Sequence, residues 1–130
     1  MGVLKVLLAD DEEGILEIMA RKVAMQGYTV ITAADGQQAW DKITTEAPDI
    51  ILLDVTMPKI TGLEILKKLR AARPSKKWQP VILVSSLGEI RQVQEGLGLG
   101  ADHYLTKPCS IEEVVKAIRL MASLIPMRNP

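Results

Sequence analysis

Five short apolar or β-branched runs punctuate the chain, at residues 4–9, 28–33, 49–53, 81–84 and 103–105, and their length and composition read as strands. Between them the apolar positions recur with a helical period. Ile15, Ile18, Met19 and Val23 repeat at spacings of three and four, with Gly27 placed to end that helix. Ile111, Val114, Val115, Ile118 and Met121 repeat the pattern near the C-terminus. Another helix is expected from near Asp35 to a stop before Pro48. Three segments pair Ser or Thr with a Glu three residues on: Thr61 with Glu64, Ser86 with Glu89, and Ser110 with Glu113. Each is a capping-box pattern that marks where a helix begins. The stretch "RPSKKWQP" and the end "PMRNP" carry neither period and are expected to be flexible, which places one domain over 1–125 and a tail over 126–130.

Strand and helix alternate five times, and that order implies a parallel sheet with helices on both faces. The third run, "DIILLD", is apolar until it meets Asp54. A strand covered on both faces tolerates a charge only where it runs out at the end of the sheet. In open α/β sheets the carboxyl ends of the strands form the ligand crevice. Asp10 and Asp11 follow the first strand, Ser85 the fourth and Lys107 the fifth, so with Asp54 five polar groups converge on one rim.

Composition narrows the classes. A length of 130 residues suits one domain, and 48% apolar with 25% charged residues is ordinary for a soluble globular chain. Lys plus Arg equal Asp plus Glu at 16 each, so no global field draws the protein to nucleic acid or an anionic membrane. The single Cys109 has no internal disulfide partner and is read as inert, and His103 as a strand residue. The opening "MGVLKVLLA" is too short and too soon interrupted by acids for a signal or a membrane span, so a cytoplasmic location is expected. Arg70, Arg73, Lys76, Lys77 and Trp78 form a basic stretch read as a solvent-exposed loop, with no nucleic-acid contact expected.

Three carboxylates in a small space repel one another unless a cation joins them. Mg²⁺ is the natural ion, since it prefers oxygen ligands and is completed by waters and phosphate, and a histidine or cysteine set for zinc is missing. With a metal and Lys107 nearby, Asp54 becomes a candidate nucleophile toward phosphorus and Ser85 a hydrogen-bond partner for a phosphoryl oxygen. The plainer alternative for Asp10 and Asp11 is a helix N-cap.

"LLADDEE", "DIILLDVTMPKITG", "PVILVSS" and "GADHYLTKP", in this order, resemble the successive signatures of the receiver domain of two-component response regulators, over residues 4 to about 125. The resemblance implies a flavodoxin-like (βα)5 doubly wound five-stranded sheet of order 2-1-3-4-5. It implies that Asp54 accepts a phosphoryl group from a sensor histidine kinase or phosphotransfer protein, with Asp11 a direct and Asp10 a water-mediated Mg²⁺ ligand and the Thr56 carbonyl completing the protein's donors. By the same resemblance Ser85 is the switch hydroxyl, Tyr104 the switch aromatic, and Lys107 the site lysine preceding Pro108, often a cis peptide in that family. Positions Thr56 and Leu87 tune dephosphorylation there. Ser85 stands where Thr is commoner, Ser86 where Ala is, and Thr61 where Asp is frequent.

The function expected is a phosphorylation-activated signalling switch, no enzyme beyond its own phosphorylation and dephosphorylation. A downstream effector reads the face of the fourth helix, fifth strand and fifth helix, with the protein a monomer or a weak phosphorylation-dependent dimer. The glycines of "GEIRQVQEGLGLGA" make that fourth helix marginal, at about 1 kcal/mol each. Two alternatives are a degenerate receiver acting only as a binding platform and an aspartyl-phosphate phosphatase, for which the chain has no length for a cap domain.

Overall fold

The computed structural model describes residues 2–86 and 90–129. Strands and helices alternate: β1 (Lys5–Ala9), α1 (Glu13–Met25), β2 (Thr29–Ala33), α2 (Gly36–Glu46), β3 (Ile50–Asp54), α3 (Gly62–Ala72), β4 (Val81–Ser86), α4 (Ile90–Gly98), β5 (His103–Lys107) and α5 (Ile111–Arg128). All pairings are parallel and the sheet runs β2-β1-β3-β4-β5, the order the resemblance implied.

Successive strand side chains point to opposite faces, so a fully covered strand must be apolar at every position. β3 is buried along its whole length. Its Ile50 and Leu52 join Val6, Leu8, Ile82 and Val84 against α1 and α5. Its Ile51 and Leu53 join Leu7, Ala9 and Leu83 against α2 and α3. The edge strands β2 and β5 are only partly covered and accordingly carry Thr, His and Tyr.

The expected caps at Thr61 and Ser110 form complete boxes with Glu64 and Glu113, and Asp35 caps α2 by accepting from the Gln38 amide. The third box, Ser86 with Glu89, and the Leu87 position lie outside the described residues. Helix α1 forms where expected, but its buried stripe is Leu16, Met19 and Val23, while Ile15 and Ile18 are exposed. Spacing identifies a helix, yet a stripe flanked by apolar neighbours does not reveal which edge faces the sheet.

The internal stretch and the tail expected to be flexible are tied to each other. Helix α5 continues to Arg128 with Pro126 inside it, past the expected boundary at Ile125. The Asn129 amide side chain accepts from the Trp78 N–H at 2.8 Å and donates to the Trp78 carbonyl at 3.0 Å, and Arg128 lies over the Trp78 ring at 4.2 Å. Nor is the basic stretch a purely solvated loop. Lys77 Nζ donates to the Ala47 carbonyl and to Asp49 Oδ1, and Arg70 to the carbonyls of Gln79 and Gly100 and to Asp102. These partners are distant in sequence, so no local pattern reports them.

Candidate functional site: an acidic cluster at the carboxyl ends of the strands

The site residues lie at the ends of their strands. β4 and β5 run further than expected because the ladder continues through Ser85 opposite Thr106 and Ser86 opposite Lys107. Lys107 is therefore the last residue of β5, and Asp54, paired with Val84, the last of β3.

Asp10 and Asp54 are each 3% exposed, while Asp11 is exposed. Carboxylate oxygens of the three lie within 4.8 Å of one another. Lys107 Nζ donates to Asp54 Oδ2 at 2.6 Å and sits 3.8 Å from Asp10 and 3.9 Å from Glu12. The other Asp54 oxygen accepts from the Thr56 N–H at 3.0 Å. Asp10 Oδ1 accepts from the Glu12 N–H at 2.9 Å, and the N-cap of α1 is Glu12, so neither aspartate is the cap of that helix. Glu12 was not singled out from the sequence, where it is one acid in a run of four; only its distance to Lys107 distinguishes it.

Two glycines let the loop after Asp54 close. A Cβ at Gly62 would lie 2.4 Å from the Asp54 carbonyl oxygen, and one at Gly36 would lie 1.8 Å from that of Ile60. The loop therefore packs directly on the starts of α2 and α3, anchored by Gly62 N–H to Val55 and Gly36 N–H to Pro58. That packing carries Thr56 to the site.

Burial raises the Asp54 carboxyl above its ordinary value, outweighing the hydrogen bond and charge of Lys107 and the Thr56 amide. For Lys107 burial is the largest single influence and acts downward. The hydrogen bond and charge of Asp54, with the charges of Asp10 and Glu12, outweigh it, so the ammonium lies above its usual value. Both shifts arise at one half-buried pair: the surrounding acids favour the charged Lys107, whereas burial disfavours the ionised Asp54. Among the described residues three carboxylates, Asp10, Glu12 and Asp54, share the Lys107 ammonium, and Asp11 lies in the same acidic cluster without an ion pair to it. An all-oxygen set with surplus negative charge fits a hard divalent cation.

Ser85 is 1% exposed, and its Oγ has no hydrogen-bond partner among the described residues. An unpartnered buried hydroxyl costs about 1–3 kcal/mol, which singles this one out. Tyr104 on β5 is 44% exposed. The Lys107–Pro108 peptide is cis, as the resemblance implied. Burial pushes the Cys109 thiol up, away from the reactive thiolate. No helix among the described residues is long and apolar enough to cross a membrane.

A family model described as the response regulator receiver domain matches residues 6–119. The chain is 44% identical over 117 residues to the alkaline phosphatase synthesis transcriptional regulatory protein PhoP of Bacillus subtilis, covering 88% of this chain and 48% of that protein. It is 33% identical over 118 residues to the response regulator MprA of Mycolicibacterium vanbaalenii, covering 91% and 50%. The chain thus spans about half the length of these relatives. Among solved structures, the receiver domain of the Francisella response regulator 1452 aligns with a TM-score of 0.83 at 36% identity, covering 92% of this chain and 97% of that one. The chemotaxis response regulator CheY4 of Vibrio cholerae aligns with a TM-score of 0.83 at 32% identity, covering 92% and 99%.

Proposed function

Because the chain belongs to the response regulator receiver domain family, we propose that it is a phosphorylation-activated switch in which Asp54 accepts a phosphoryl group from a histidine kinase or phosphotransfer protein. The observation that carries this reading is the position of Asp54: a buried carboxylate at a strand end, held by Lys107 at 2.6 Å inside a cluster of acids. In the transfer an Asp54 oxygen attacks phosphorus, the bond from phosphorus to the donor's imidazole nitrogen breaks, and the imidazole leaves with that electron pair. Lys107 and the Thr56 amide orient the carboxylate for this attack. The side chains of Asp10, Asp11 and Asp54 with the Thr56 carbonyl would hold Mg²⁺. When bound, that ion neutralises the negative charge of the phosphoryl oxygens and the carboxylates.

The phosphoryl group brings about −1.5 to −2 charges and three strong acceptors. Lys107 and the unpartnered Ser85 hydroxyl are the groups we assign to receive them. Movement of Ser85 opens room on the β4 side, into which the exposed Tyr104 turns, and the face of α4, β5 and α5 changes shape for a downstream effector. The exposed Ile15 and Ile18 of α1 suit docking of the phosphodonor, since Ile15 shares an apolar groove with Asp10, Lys107, Pro108 and Ile111 beside the site. The named relatives are transcriptional or response regulators, so the output assigned is regulatory, exerted from the cytoplasm through an effector protein or domain. The protein itself acts as a monomer or a weak phosphorylation-dependent dimer, without direct nucleic-acid contact by this domain.

Incubation with Mg²⁺ and acetyl phosphate should give one alkali-labile acyl phosphate, seen as a mass increase that disappears in Asp54→Asn and when EDTA replaces Mg²⁺. Turnover of phosphate esters would identify a phosphatase instead. Absence of any phosphoryl incorporation would leave only a binding platform and sink the proposal.

A further inference from the structure

We propose that the cavity at the other end of the sheet is a second ligand site, for a small phosphate-bearing anion of about nucleotide size. It lies where α3 ends, residues 74–80 lead into β4, and the last turn of α5 closes over them. Its volume of about 580 Å³ falls in the range of small-molecule clefts.

Its lining holds five cationic side chains and one acid. The acid, Asp102, is already neutralised: its Oδ2 accepts from Arg70 Nη2 at 2.9 Å and from the Val81 N–H at 2.9 Å. Arg70 is fully engaged as part of the wall, donating also to Gly100 and Gln79. Lys77 is matched by Asp49 at 2.8 Å. Arg73, Lys76 and Arg128 remain, and among the described residues none of them has an ion pair.

Their charges are felt inward. Arg70 lies below its usual value first through burial, and, against the opposing pull of Asp102, through the charges of Arg128 and Arg73. The chain as a whole has equal numbers of acidic and basic residues, so this accumulation is a segregation of charge and not an average property. Arg128 is held in place by its stack on Trp78 at 4.2 Å, which reduces the entropy lost when it binds an anion. Two planar guanidinium forks and an ammonium lining one concavity match a phosphate better than a single carboxylate. Nothing in the phosphorylation chemistry at Asp54 uses these residues.

Titrations with ATP and with tripolyphosphate, both in EDTA and followed by calorimetry and amide NMR, test the assignment. Both ligands should bind saturably at one site, moving the resonances of Arg73, Trp78 and Gly100. The double variant Arg73→Gln, Lys76→Gln should bind about tenfold more weakly or worse, and Arg128→Gln should weaken binding independently. Asp54→Asn should bind as the parent does. The idea fails if binding does not saturate, if the double variant keeps its affinity while its circular dichroism is native, or if the shifts gather around Asp10 and Lys107. Tighter binding of a short single-stranded oligonucleotide at the same residues would overturn it in favour of a nucleic-acid surface.

Discussion

Ser85 and Asp54 are both held in the resting protein in states that cost stability, for different reasons. Ser85 Oγ is buried with no partner, so its removal exposes nothing and breaks no bond. Ser85→Ala should leave the unphosphorylated protein unchanged or more stable by up to about 1 kcal/mol in urea denaturation, whereas a typical buried serine loses stability on this change. Asp54 is a carboxyl whose folded value is raised by burial. A raised acid penalises the fold when ionised, at pH above its folded value, and the penalty vanishes below the ordinary 3.8 where both states are protonated. Metal-free Asp54→Asn should therefore melt above wild type at neutral pH, with the gap closing as pH falls through the Asp54 folded value toward 3.8. Millimolar Mg²⁺ should narrow the neutral-pH gap from the other side by stabilising only the wild type, by about 1.4 kcal/mol at ten times its dissociation constant. A variant that melts below wild type in EDTA would show that Lys107 outweighs burial at this carboxyl.

Backbone geometry at helix termini decides more than the helices' own propensities. Gly36 opens α2 with its Cα against the Ile60 carbonyl, where any Cβ would clash with backbone that has no side-chain torsion to relieve it. Gly36→Ala should displace the 55–61 loop, costing about 2 kcal/mol or more and slowing phosphorylation with it. At the other end of α2, Ala47 holds φ at 46°, a left-handed conformation that glycine adopts without strain. Ala47→Gly should accordingly stabilise the fold by up to about 1 kcal/mol. At both ends of this helix glycine is favoured over alanine, the reverse of the ranking in a helix interior, and thermal melts of both variants read it directly. The capping boxes at Thr61 and Ser110 were legible because their partners lie three residues apart. The buried edge of α1 was not, since Ile15, Leu16, Ile18 and Met19 are all apolar and only the sheet selects between them.

Across the whole molecule, charge is separated: acids gather where the strands end, and cations gather where β4 begins. Arg70 carries a large part of the second region, joining α3 to Gln79, Gly100 and Asp102. Arg70→Ala should cost about 2 kcal/mol by leaving Asp102 without its cation and the Gln79 and Gly100 carbonyls without the Arg70 donor, against less than about 0.5 kcal/mol for the exposed neighbour Arg73→Ala; equal losses for the two would mean that the network contributes nothing. The alternation of strands and helices and the placing of Asp54, Lys107 and Ser85 at strand ends could be read from the chain, because periodicity and strand-end charge are local consequences of burial on two faces, whereas the strand order came only from the resemblance. The unpartnered state of the Ser85 hydroxyl, the part Glu12 plays beside Lys107, the clamp between Trp78 and Asn129, and the gathering of Arg73, Lys76 and Arg128 were decided only by tertiary structure. Each of these depends on distances between groups far apart along the chain or on the orientation of one side chain, and a one-dimensional pattern carries neither.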